Sequence, residues 1–259
     1  MNSEKKSLLL MNKLKVFQLH ERTGAWYRRY SLIRSGLYAP TNDLDDANVI
    51  ASPVPRPPKG DYILHYSDLW SNDNEIISKA KVVIACRPVL YKEALKHNSN
   101  VILSHNGTWV DSGPITDRSG PYLFPYFNTD KRVVDGLYND TLITERPRLG
   151  LRSMKYLYKL ADREWSKYIP TNEWYKYKAV ILQSKDTDFC RAQDNLKYYD
   201  GLANGLPMIL YNHNTSFTSA DDFVFDKGDK IEWPTLDYVE WFRKTYNWKA
   251  IFEWELSQL

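Results

Sequence analysis

Short apolar runs of strand length alternate along the chain with segments of helical spacing. Lys15–His20 (KVFQLH) predicts a strand, followed by a turn at Thr23-Gly24 and a helix over Tyr27–Ile33. Asp61–Tyr66 (DYILHY), the β-branched Lys81–Cys86 (KVVIAC) and Asn100–Ser104 (NVILS) predict further buried strands. Helices are expected between them at Asn74–Lys79 and at Val89–Lys96, where Pro88 suits a first helical turn. This alternation predicts parallel sheets covered on both faces.

From Gly107 to about Asp130 the periodicity dissolves into Gly, Pro, Asp and Thr, which predicts a long loop of functional character. A second series then begins. Met154, Leu157, Tyr158, Ala161, Trp165 and Tyr168 recur at helical spacing, and Pro170 ends that helix. Ala179–Leu182 and Met208–Tyr211 read as strands around a helix at Leu196–Ala203, and Leu236–Lys244 and Lys249–Leu256 as closing helices. The expected fold class is α/β, with two Rossmann-like lobes and a cleft between them. The expected divisions are a loose tail over 1–14, an N-terminal lobe over 15–140, a C-terminal lobe over 141–235, and helices over 236–259 that cross back to the first lobe. Ligands of such sheets bind beyond the carboxyl ends of the strands.

Composition narrows the class. The chain has 259 residues, 43% hydrophobic and 26% charged, which fits a globular protein and excludes a disordered one. Its net charge of +3 excludes a polycation, yet 19 Tyr and 9 Trp supply many stacking surfaces. Cys86 and Cys190 form neither a metal spacing nor a disulfide framework, so a reducing cytoplasm is expected. No run approaches the ~20 apolar residues of a membrane span, so no membrane insertion is expected.

The chemistry concentrates in Ala179–Tyr211. Asp194 or Asn195 can cap the helix that follows, leaving the N–H groups of Leu196 and Lys197 at an end that attracts phosphate. Asp200 lies in the second turn, where a carboxylate can accept from ribose hydroxyls. Gly205 suits a left-handed cap and Pro207 stops the helix. This stretch, Asn195-Leu-Lys-Tyr-Tyr-Asp200-Gly-Leu-Ala-Asn-Gly205-Leu-Pro207, resembles the donor segment of GT-B fold glycosyltransferases. Tyr246-Asn-Trp248-Lys-Ala-Ile251 is similar to their Trp-containing last helix, and Val101–His105 resembles their N-lobe strand ending in a His near the donor sugar.

The resemblance implies a nucleotide-sugar co-substrate, foremost a UDP-sugar, and no tightly bound cofactor or divalent metal. Donor-binding residues would be Asp200, Asn195, Leu196, Lys197 and Gly24, with Arg148, Arg152 and Lys155 as a pyrophosphate clamp. His105, Asp111 and His20 are the catalytic candidates, and Arg28 and Arg29 could face phosphate or solvent. Two departures stand out. Ala192 occupies the place of the first acid of the Glu-x7-Glu pair of many retaining members, and the Arg/Lys spacing of the clamp differs from theirs. Asp43-Leu-Asp45 and Asp186-Thr-Asp188 offer the competing pattern of a metal-bound diphosphate, with Asp186 and Asp188 as alternative ligands. Each candidate also has a plainer reading: a capped core helix, a strand-end His bonded to backbone, a solvated loop Asp.

Between Arg146 and Lys167 seven basic residues face only Asp162 and Glu164. Such a stripe is either a solvated face or a polyanion-facing surface. Some viral enzymes of the GT-B fold glycosylate hydroxymethylated pyrimidines in DNA, and the chain resembles a compact version of them. DNA is therefore the expected acceptor, with Arg163 and Lys167 on phosphate and the loop aromatics Trp109 and Tyr122 against an extruded base. A glycan- or metabolite-directed transferase and a non-catalytic nucleotide- or nucleic-acid-binding protein are the alternatives.

Overall fold

The computed structural model describes residues 14–17, 26–51, 54–67, 74–125, 138–144, 165–166, 169–182, 196–210 and 222–259. They fall into two compact units, one comprising the chain through Gly107 together with Trp248–Leu259, the other its described residues between Thr108 and Asn247. Among the described residues the α-helices are α1 (Trp26–Arg34), α2 (Asn74–Lys79), α3 (Pro88–Ala94), α4 (Leu196–Ala203), α5 (Leu236–Thr245) and α6 (Trp248–Gln258).

The first unit is built on parallel strands β1 (Leu14–Phe17), β2 (Tyr38–Thr41), β3 (Val49–Ala51), β4 (Ile63–Tyr66), β5 (Val82–Ala85) and β6 (Val101–Leu103), in the order β2-β1-β3-β4-β5-β6. Every residue of β3 and β5 is buried, as interior strands of a sheet covered on both faces require. Ile50, Leu64, Tyr66, Ile77, Val83 and Leu90 centre the core. Neither β2 nor β3 is evident in the sequence. β2 contains Pro40, which an edge strand tolerates because one side of its backbone needs no partner.

The second unit holds the parallel strands β7 (Tyr122–Pro125), β8 (Thr141–Thr144), β9 (Trp165–Ser166), β10 (Ala179–Leu182), β11 (Met208–Leu210) and β12 (Val224–Asp226), ordered β12-β11-β10-β7-β8-β9. α4 lies close against the sheet. A Cβ at Gly201 would stand 2.1 Å from the Met208 Cε, so a larger residue there would have to displace the flexible end of that side chain. α4 ends in a Schellman motif: Leu206 N–H donates to Gly201 O (3.0 Å) and Gly205 N–H to Leu202 O (2.9 Å), with Gly205 at φ +76°.

Two expectations are corrected here. The loop expected from Gly107 to Asp130 is interrupted by β7, a strand too short and Pro-terminated for its pattern to stand out. β7 pairs with both β8 and β10 and belongs to the second compact unit, whose described residues begin at Thr108. The helix expected over Met154–Tyr168 contains β9, which pairs with Ile143 and Thr144 of β8; the rest of that segment lies outside the described residues.

Candidate functional site

The second sheet, read from β9 across to β12, has the 3-2-1-4-5-6 order of a dinucleotide-binding sheet. Its direction of winding reverses between β7 and β10, and the carboxyl ends of those strands therefore open the crevice where such sheets take ligands. Pro125 closes β7 there. Lys197, in the first turn of α4, reaches this end and donates from Nζ to the Pro125 carbonyl. The sequence assigned Lys197 to the donor, and the topology puts it at the switch point.

Asp200, one turn further on, is turned inward. It is 5% exposed, and its Oδ1 accepts from Thr108 Oγ1 at 2.7 Å. Burial raises its pKa to about 7, against the lowering effect of the Thr108 hydroxyl. Thr108 Oγ1 in turn accepts from Val110 N–H at 3.0 Å, so the buried acid anchors the segment carrying Trp109. Arg243 of α5 is buried nearby in the same unit. It donates to Ala203 O at the end of α4 (2.7 Å), Gly113 O (2.9 Å) and Pro114 O (3.3 Å).

In the first unit a second group of buried polar residues lies under the carboxyl ends of β4 and β6. Arg28 of α1, expected to face phosphate or solvent, is 2% exposed instead. Its Nε and Nη2 approach His65 Nδ1 at 3.2 and 3.1 Å, and Nη2 donates to Glu255 Oε1 of α6. Its Nη1 donates to His105 O (2.8 Å) and Asn106 Oδ1 (3.0 Å). Trp248 and Phe252 of α6 flank the guanidinium, with centroids 5.1 and 5.0 Å away. Because His65 Nδ1 accepts from Arg28, its ring proton belongs on Nε2, which has no hydrogen-bond partner among the described residues. Burial, aided by Arg28, holds the His65 pKa well below its ordinary value, so the ring is neutral.

Glu255 Oε1 also accepts from Ser104 Oγ, and burial raises the Glu255 pKa against the opposing pull of Arg28 and Ser104. His65 and Glu255 gave no signal of function in the sequence. The one trace was a His inside a buried strand run and a Glu inside an apolar helix run, each implying a partner elsewhere.

The other expected residues are distributed as follows. His105 is exposed just beyond β6, and Asp111 is exposed, its carboxylate accepting from Ser112 Oγ at 3.0 Å. Tyr122 is not in a loop. It opens β7 at the amino end of the sheet, stacked on Tyr138 (4.3 Å between centroids) with Lys178 Nζ 4.1 Å from its ring, opposite the end where ligands bind. Asp45 of the first Asp-x-Asp triplet is paired with Arg56 (2.6 Å) and Lys59 (3.0 Å), and Asp43 Oδ1 accepts from Asp45 N–H at 2.9 Å. No group of three His, Cys, Asp or Glu able to hold a metal occurs among the described residues. His20, Gly24, Arg148, Arg152, Lys155, Arg163, Lys167, Asp186, Asp188 and Asn195 lie outside the described residues. Among the described residues no helix is long and apolar enough to cross a membrane.

No protein-family model matches the chain, and neither does any curated protein sequence. Solved structures do. The Anabaena protein HepE, solved in complex with UDP-glucose, matches with a TM-score of 0.55 at 9% identity, over 95% of this chain and 94% of that one. A GtfA/B complex matches at 0.48 and 8% identity, over 77% of this chain. Staphylococcus aureus TarM, solved with fondaparinux, α-GlcNAc-glycerol and UDP, matches at 0.46 and 12% identity, over 83% of it. The chain spans about half the length of the latter two, 53% and 52% respectively. The fold is α/β with two parallel-sheet, Rossmann-like units, and it is the fold of the GT-B glycosyltransferases.

Proposed function

We propose that the protein is a glycosyltransferase that transfers a sugar from a nucleotide-sugar, foremost a UDP-sugar, to an acceptor hydroxyl. The observation that carries this is the start of α4 beside the switch point of a 3-2-1-4-5-6 sheet, with Lys197 at the carboxyl end of β7. In support, a fold shared over nearly its whole length with HepE is one whose structure holds UDP-glucose. In this reading the diphosphate meets the N–H groups of the first turn of α4 and the Lys197 ammonium, with Arg148, Arg152 and Lys155 as further cations. The bond from the anomeric carbon to the diphosphate oxygen breaks, the acceptor oxygen bonds to that carbon, and the acceptor proton passes to a base, His105, Asp111 or His20. Catalysis is then mostly positioning and stabilisation of the departing diphosphate. Hydroxymethylated pyrimidine in DNA is the acceptor suggested by the basic run from Arg146 to Lys167.

The test is a thermal-shift panel of nucleoside diphosphates, followed by turnover of UDP-glucose. UDP should raise the melting temperature by mass action. Lys197→Ala should weaken UDP binding by roughly 1.5–3 kcal/mol, the scale of a hydrogen bond to a charged group. The same titration on Asp200→Asn examines the ribose contact, and an unchanged Kd removes it. Activity that survives EDTA favours the metal-free reading over ligation by Asp186 and Asp188. DNA binding that weakens steeply with salt supports the nucleic-acid acceptor, and transfer to a glycan without it replaces that acceptor. No nucleotide binding and no turnover would overturn the transferase.

A further inference from the structure

We propose that the buried Arg28–Glu255 pair is a positioning device for His105, so that α6 contributes to the reaction without touching substrate; this rests on the transferase reading above. β6 ends at Leu103, and beyond the Ser104 N–H, which donates to Ala85 O of β5 at 2.8 Å, no strand or helix holds the segment through Gly107. Successive residues are held from beneath instead. Ser104 Oγ donates to Glu255 Oε1, and Arg28 Nη1 donates to His105 O at 2.8 Å and to Asn106 Oδ1 at 3.0 Å. Ser104, Asn106 and Gly107 are buried, and only His105 is exposed. The segment therefore presents one imidazole just beyond the carboxyl end of β6. The backbone behind that imidazole is fixed by a charged group that cannot move without breaking several buried hydrogen bonds.

The pair is itself held tightly. Arg28 lies against Trp248 and Phe252 and donates to His65 Nδ1. A guanidinium with a fixed fork of donors suits this task, because it serves an acid, an imidazole, a carbonyl and an amide at once. Core cement alone would not require three consecutive positions of a non-regular segment to converge on one ion pair.

The experiment compares wild type, Glu255→Gln, His105→Ala and the double variant. Glu255→Gln keeps an oxygen for Arg28 and Ser104 but removes the charge. UDP affinity is measured by calorimetry, and kcat and KM are measured for UDP-glucose turnover. Glu255→Gln should lower kcat at least tenfold while KM and the UDP Kd stay within twofold. The double variant should be no slower than His105→Ala, because the acid acts through that residue. Additive losses, an unchanged kcat, or a loss of UDP affinity equal to the loss of rate would each overturn the proposal and leave the transferase reading standing. Asn106→Ala provides a second variant that leaves the ion pair whole, and a kcat that it does not change overturns the proposal as well. A wild-type protein that neither binds UDP nor turns over a nucleotide-sugar overturns the functional reading, and the positioning role with it.

Discussion

Among the described residues each unit buries one arginine and one acid, and the two units treat them differently. In the first, Arg28 and Glu255 are bonded to each other, and His65, Ser104, His105 and Asn106 complete the set. In the second, Arg243 spends its donors on the carbonyls of Ala203, Gly113 and Pro114, while Asp200 has the Thr108 hydroxyl. A buried carboxylate needs a cation or several donors to stay ionised. Glu255 has a cation and a donor. Asp200, among its described contacts, has one neutral donor, and burial carries its pKa to about 7. The first unit thus depends on charge balance, while the second holds an acid that gains or loses its proton near neutrality.

The largest effect is expected where the balance is broken from one side. Arg28→Met should destabilise the first unit by roughly 3–5 kcal/mol, the cost of leaving a buried charge without its partner. Arg28→Met combined with Glu255→Met should cost less than Arg28→Met alone. Urea denaturation of both variants checks this, and a larger loss in the double variant would show that the pair contributes packing and not charge.

Asp200 should behave with the opposite sign. Its folded pKa lies above its unfolded value, so the folded form binds a proton that the unfolded chain has released between about pH 4 and 7. The stability this confers is complete below the unfolded pKa and is lost as pH rises through 7. Asp200→Asn, which carries no such proton, should leave stability near pH 4 little changed and raise it by about 2–4 kcal/mol at pH 8.5. Denaturation at the two pH values measures the difference, and equal effects at both would place the acid's pKa back in its ordinary range.

The smallest effect sharpens the same contrast. Thr108→Val removes the one hydroxyl that favours ionised Asp200 and an acceptor for Val110 N–H. It should cost about 1–2 kcal/mol, and it should shift the midpoint of the pH dependence upward. An unmoved midpoint would mean that another group stabilises the carboxylate.

The sequence announced what local pattern encodes. The runs that became β4, β5, β6 and β10 are continuous and apolar, and α4 carries its stop in Gly205 and Pro207. It concealed what depends on neighbours. β3 and β12 have three residues each, and β7 is hardly longer, so their identity comes from the ladders they join. The site divides in the same way. The start of α4, with Lys197 in its first turn, was legible because helix starts have a local signature. The group around Arg28 was not, since Arg28 and Glu255 are 227 positions apart and no periodicity records such a pairing. For that reason Arg28 was read as facing phosphate or solvent, when its charge belongs to an acid in another helix.

The interrupted course of the chain has a consequence for how the protein is made. Gly107 leaves the first unit and Trp248 re-enters it about 140 residues later, an interval of roughly 7–28 s at the usual 5–20 residues per second of synthesis. Throughout that time Arg28 has been translated and Glu255 has not. On the ribosome, the order of completion is therefore the reverse of the order of initiation: the first unit has all its described strands early but lacks α6, so the second is complete while the first still waits with a cation that has no acid. A chaperone that shields the early segment, or a pause that lengthens the interval, would act on the first unit and spare the second.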